Sequence, residues 1–111
     1  MTTYHQEGLT ALSDPTRRAI FERLADGPRS VADLAAGMPV SRPAVSQHLK
    51  VLKAAGLVVD RAAGSRRIYQ VDPDGLAALR SYLDQFWKKA LQGFKQHVEQ
   101  TEQTAPNEET T

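Results

Sequence analysis

Ser41-Arg-Pro-Ala-Val-Ser-Gln-His-Leu-Lys-Val-Leu-Lys-Ala-Ala-Gly-Leu57 is the stretch that decides how this chain reads. Ser41 is an N-cap residue, and Pro43 falls in the first helical turn, where a missing N–H costs nothing. Gly56 is a C-terminal stop, so the spacing predicts a helix reaching about Ala55. At about 100° per residue, Val45, Leu49 and Leu52 fall together and must face a core. Pro43, Gln47, Lys50 and Ala54 lie opposite, with Ser46 and Val51 further round. One face is for packing and the other is free.

Upstream, Ser30 caps a short helix bearing Val31, Leu34 and Ala35, which Gly37-Met38-Pro39 ends. Two helices joined by such a tight turn make a helix-turn-helix. Before them, Asp14-Pro15 starts a helix with the stripe Ile20, Phe21 and Leu24, stopped by Gly27-Pro28. Leu9 and Leu12 suggest a short opening helix. Downstream, Leu57–Asp60 and Arg67–Val71 are β-rich runs around Ala63-Gly64-Ser65, the pattern of a hairpin. From Asp72-Pro73 a helical period returns, with Leu76, Leu79, Leu83, Phe86, Trp87, Ala90, Phe94 and Val98 on one face. The expected fold is mostly α with a β-hairpin wing, in the order α-α-α-α-β-β-α: a winged helix-turn-helix. Its expected domain spans residues 8–98, after an arm at 1–7. Residues 99–111 contain no large apolar side chain and are expected to form a disordered polar tail.

Length and composition bound the possibilities. The 111 residues suffice for one domain. There is no cysteine, which excludes disulfides, thiolate metal sites and cysteine nucleophiles. No run approaches the roughly 18 apolar residues of a membrane span. The N-terminal residues lack a signal-peptide pattern, so a cytoplasmic protein is expected. The net charge of +1 conceals a division. Thr16–Arg67 holds ten basic and four acidic residues, a balance of +6; the rest holds four basic and nine acidic, a balance of −5. A basic middle points to a polyanionic partner, with a plain solvated surface as the alternative.

A hairpin directly after a helix-turn-helix makes its second helix the expected reader of the DNA major groove. Gln pairs with adenine N6/N7, Arg with guanine O6/N7, and Pro or Ala carbons touch a thymine methyl. Arg42, Pro43, Ser46 and Gln47 are therefore assigned to bases and Lys50 to phosphate. Arg61, Arg66 and Arg67 flank the hairpin tip, where they would meet an adjacent minor groove or its phosphates. The competing reading of these arginines is protection of an edge strand. Arg17 and Arg18 sit in the first turn of their helix, against its dipole, which suggests either an external anion or an ion pair with Asp14.

The run Leu12-Ser-Asp-Pro-Thr-Arg-Arg-Ala-Ile20, the stretch Ser41–Leu57 and Gly64-Ser-Arg-Arg-Ile-Tyr69 together resemble the ArsR/SmtB family of bacterial repressors. The resemblance covers roughly residues 8 to 98. It implies a homodimeric winged-helix transcription factor that binds double-stranded operator DNA and leaves it on a signal. It also implies a dimer interface on the first and last helices, which fits Leu83, Phe86, Trp87, Ala90 and Phe94; packing within one subunit is the alternative for that face. Metal-sensing relatives carry Cys-Val-Cys-Asp-Leu where this chain has Ser30-Val-Ala-Asp-Leu34. Others bind zinc through Asp-x-His-x10-His-x2-Glu on the last helix. Here that spacing reads Asp84-x-Phe86-x10-His97-x2-Gln100, with two of four ligands gone.

No metal, cofactor or membrane partner is expected, His97 reads as a surface histidine, and the inducer is left open. His48, on the edge of the core face, reads as a hydrogen-bonded structural residue. No phosphate loop or nucleophile elbow occurs, and Asp72/Asp74 are accounted for by capping, so an enzyme is not expected. The rival readings are a winged helix serving as a protein–protein module and a non-specific architectural DNA binder.

Overall fold

The computed structural model describes the backbone of residues 2–109 and the side chains of residues 6–102. Its elements are α1 (Thr2–Ala11), α2 (Pro15–Ala25), β1 (Arg29–Ser30), α3 (Val31–Ala36), α4 (Arg42–Ala54), β2 (Val58–Ala63), β3 (Arg66–Val71) and α5 (Pro73–Glu109). The chain divides into two compact units, residues 1–79 and 80–111.

In the first unit the expected caps are in place. Asp14 accepts from the Arg17 N–H, Ser41 from the Ala44 N–H, and Ser30 with Asp33 closes a reciprocal capping box on α3. α4 ends in a Schellman motif: the Leu57 N–H reaches the Leu52 carbonyl, the Gly56 N–H reaches that of Lys53, and Gly56 takes a φ of +78°. The backbone at Gly56 is also approached by α5. A Cβ on Gly75 would run into the Gly56 carbonyl, so only glycine fits where α5 begins. The core is Ile20, Leu24, Leu34, Val45, Leu49, Leu52, Leu57 and Val58, closed by Ala11, Ala55 and Leu79. The α4 face assigned to packing contributes three of these.

The wing differs from expectation by one strand. β2 and β3 pair antiparallel from Val58↔Val71 to Ala63↔Arg66, leaving Gly64-Ser65 as a two-residue turn with a left-handed Gly64. A third strand was not expected: β1 pairs with β3 (Arg29↔Tyr69, Ser30↔Ile68), giving the order β1-β3-β2. Two residues carry no period of their own. Ser30 is extended because it caps α3, and that same conformation lets it join the sheet.

Helices run through both stretches expected to flank the domain. The arm expected at residues 1–7 lies within α1, except Met1, which is outside the described residues. α5 runs on to Glu109, through most of the stretch expected as a tail; residues 110 and 111 are outside the description. Glu and Gln are adequate helix formers, and a helix already nucleated extends through them without an apolar face.

The second unit is helical, and its large apolar side chains are in the open. Phe86, Trp87 and Phe94 are 59%, 64% and 65% exposed, and Leu83 and Leu91 nearly half. Of the stripe read from the sequence, Leu79, in the first unit, is buried.

Candidate nucleic-acid interface

The free face of α4 is built as its periodicity required. Arg42, Pro43, Ser46, Gln47 and Lys50 are all exposed, opposite Val45, Leu49 and Leu52, which are fully buried. None of Arg42, Ser46, Gln47 and Lys50 has a side-chain partner among the described residues. A guanidinium, a hydroxyl, an amide and an ammonium thus stand together on a rigid helix with their hydrogen-bonding capacity unspent. That is the donor and acceptor set that base edges and phosphates require.

The wing arginines divide differently. A strand sends successive side chains to opposite faces, so Arg66 and Arg67 point apart. Arg66 lies on the Ile68 face, beside β1, and its Nη2 donates to Ser30 Oγ at 2.7 Å and to Asp33 Oδ2 at 3.1 Å. Arg67 lies on the Tyr69 face and its Nε donates to Asp60 Oδ2 at 2.7 Å. The other Asp60 oxygen receives Lys53 Nζ, also at 2.7 Å. Arg61 has no partner among the described residues. Two of the three wing arginines thus already hold carboxylates of this chain, Arg66 that of Asp33 on α3 and Arg67 that of Asp60 on β2.

Those carboxylates are held ionised. The Ser30 N–H and hydroxyl, then Arg66, keep Asp33 below the usual carboxylate range. Lys53 and Arg67 do the same for Asp60, against its burial. Asp14 is lowered chiefly by the N–H of Arg17 it caps.

Arg17 and Arg18 answer neither reading offered for them. Arg17 Nε donates to the Ala11 carbonyl at 2.8 Å and Arg18 Nη1 to that of Leu12 at 3.2 Å. They cap the C-terminal end of α1, whose carbonyls carry the negative pole of that helix. A cation misplaced on its own helix is well placed on its neighbour. Arg17 Nη1 also lies 3.4 Å from His48 Nδ1. A guanidinium only donates, so in this contact Nδ1 is the acceptor. His48 is thus the structural histidine expected of it.

Sequence reasoning passed over Asp60, although a signal existed. It is an acid inside the basic stretch, at the even position of a strand whose Val58 is buried. Among the described residues no group of three or more His, Cys, Asp or Glu could hold a metal ion, and no helix is long and apolar enough to cross a membrane.

Comparison with known proteins agrees with this geometry. Residues 12–61 match the model of a helix-turn-helix domain family. The chain is 61% identical, over 89% of its length and 94% of the relative's, to the HTH-type transcriptional regulator Rv2034 of Mycobacterium tuberculosis. Its fold is similar to that of an ArsR-like transcriptional regulator from Rhodococcus sp. RHA1, with a TM-score of 0.73 and 32% identity, covering 85% of this chain and 92% of that one. A homodimeric winged helix-turn-helix DNA-binding domain from Mycobacterium bovis matches with a TM-score of 0.65 and 26% identity, over 82% of this chain and 84% of that one. All three are described as regulators or DNA-binding domains, and none as an enzyme.

Proposed function

This chain belongs to the ArsR/SmtB family of winged helix-turn-helix transcriptional regulators, and we propose that it is a repressor gripping an inverted-repeat operator as a homodimer. The observation that carries this reading is the unpartnered polar face of α4 above a fully buried apolar one. Arg42, Pro43, Ser46 and Gln47 read bases, and Lys50 positions the helix on phosphate. On the wing, Arg61 is the free phosphate contact. Arg66 and Arg67 border the DNA with their charge already matched, and brace the wing. Such a protein works in the cytoplasm, where the operator is.

Two recognition helices reach successive major grooves only if a two-fold axis holds them about 34 Å apart. Leu83, Phe86, Trp87, Ala90 and Phe94 supply that contact. An exposed aromatic stripe of this kind exceeds what soluble monomers usually leave open. The Mycobacterium bovis domain, described as homodimeric, supports pairing of two chains.

Selection of bound sites from random duplexes tests the reading directly, and an inverted repeat is the expected recovery. On that operator, Gln47→Ala and Arg42→Ala each lower affinity by about 1–3 kcal/mol and relax base preference, whereas Lys50→Ala weakens all sequences alike. A Gln47→Ala protein that binds operator and competitor DNA unchanged would remove α4 as the reading face.

A further inference from the structure

Lys53, Asp60 and Arg67 form a triad whose geometry is lopsided. The Asp60 side chain is 7% exposed, while those of Lys53 and Arg67 are 55% and 56% exposed. Each carboxylate oxygen takes one cation at 2.7 Å. The three residues come from the last turn of α4, from β2 and from β3, the elements that bear the recognition face and the wing. Two long, solvent-facing cations are thus drawn back onto one nearly buried acid.

With both cations more than half exposed, pairs of this kind add little to stability. For a protein that meets a polyanion, however, they have a second consequence. Sequence-independent affinity for DNA is set by the number of phosphates neutralised, and every free Lys or Arg near the contact adds to it. Base-reading contacts fix the register of the specific complex. A non-specific complex is free to slide to wherever loose cations are best used, so loose cations favour it most.

We propose that Asp60 is a specificity determinant: by occupying Lys53 and Arg67 from within the protein, it withholds two cations from sequence-independent binding. The proposal rests on the DNA-binding reading above and deepens it. Asp33 treats Arg66 similarly, but with a half-exposed carboxylate and one cation. Asp60 is therefore the stronger mask. If Asp60 served only as a brace, its loss would weaken DNA binding. As a mask, its loss strengthens binding, which gives the two roles opposite signs.

The test compares the full-length wild type with Asp60→Asn on a random-sequence duplex over a salt series, and on the selected operator at one salt concentration. Asp60→Asn is expected to bind the random duplex more tightly, with a log–log salt slope steeper by up to about 1.8, roughly 0.9 for each recovered phosphate contact. That corresponds to about an eightfold gain per contact at 0.1 M salt. Preference for operator over random DNA falls. Adding Lys53→Gln and Arg67→Gln to Asp60→Asn returns the slope to the wild-type value. An unchanged slope, or weaker binding by Asp60→Asn, overturns the proposal. Should Asp60→Asn fail to fold, Arg67→Gln alone decides: its slope stays at the wild-type value, and a fall of about 0.9 overturns the proposal. A wild type that binds no duplex at low salt overturns the DNA-binding reading itself. A wild type that binds, paired with an unchanged Asp60→Asn slope, overturns only the mask.

Discussion

The two units of this chain treat apolar surface in opposite ways. Residues 6–79 enclose a core in which Ile20, Leu34, Val45, Leu49 and Leu52 are fully buried, and leave only Leu9, Val51, Val59 and Leu76 among their large apolar side chains 38–42% exposed. From Arg80 onward the large apolar residues are exposed instead, with Trp87 and Phe94 nearly two-thirds open. The first unit finds within its own sequence the apolar partners that close its core. The second leaves its apolar face open, the face to which the proposed function assigns the subunit contact. Under the proposed function, reading DNA and pairing subunits fall to separate stretches.

The contrast can be broken most severely from the closed side. Leu52→Ala, at a fully buried α4 position, should cost about 2–5 kcal/mol of stability in chemical unfolding, through lost burial and the cavity left behind. A cost under about 1 kcal/mol would mean that this core relaxes freely, and that the first unit is less tightly closed than its burial indicates. Trp87→Asp should cost dimerisation about 2–4 kcal/mol, giving monomers by sedimentation and abolishing operator binding with no DNA-facing residue changed. A folded wild type that is monomeric at micromolar concentration would leave the open face unexplained and remove the two-fold operator with it.

Smaller effects sharpen the picture inside the first unit. The Asp60 pKa is depressed in the folded protein by Lys53 and Arg67, so its stabilising contribution is present above the unfolded carboxylate value near 3.9. That contribution is lost as pH falls through the lower, folded value. Unfolding followed from about pH 7 to pH 3 should therefore lose stability at the acid end, and Asp60→Asn should lose less of it. Equal acid loss in both proteins would assign the effect to Asp14 and Asp33, also depressed. The smallest effect is none at all. Zinc addition or chelation should leave operator affinity unchanged, given the absence of cysteine and the two ligands missing around Asp84 and His97. Release by micromolar zinc that His97→Ala abolishes would join the second unit to metal sensing.

Much of the fold was legible because its signals are local. Asp14, Ser30, Ser41 and Gly56 act on N–H and carbonyl groups within three to five residues of themselves, and Val45, Leu49 and Leu52 declare their face by helical period alone. The exposed polar residues of α4 follow from the same period, since what is not turned to the core is turned outward. The alternation of a strand even tells that Arg66 and Arg67 point apart. What each then meets is another matter. Ser30 is 36 residues from Arg66, and His48 is 31 from Arg17. No local rule spans such a gap. The same holds for β1, two residues with no period, and for Arg17 and Arg18, whose place against their own helix dipole makes sense only beside the end of α1. The sequence by itself determined the elements other than β1, their caps and their outward faces, because those are set by backbone geometry over a few residues. Only the tertiary structure decided which charges are free and which are already matched. That depends on closing the sheet onto the helices and bringing distant carboxylates within 3 Å or so of their cations.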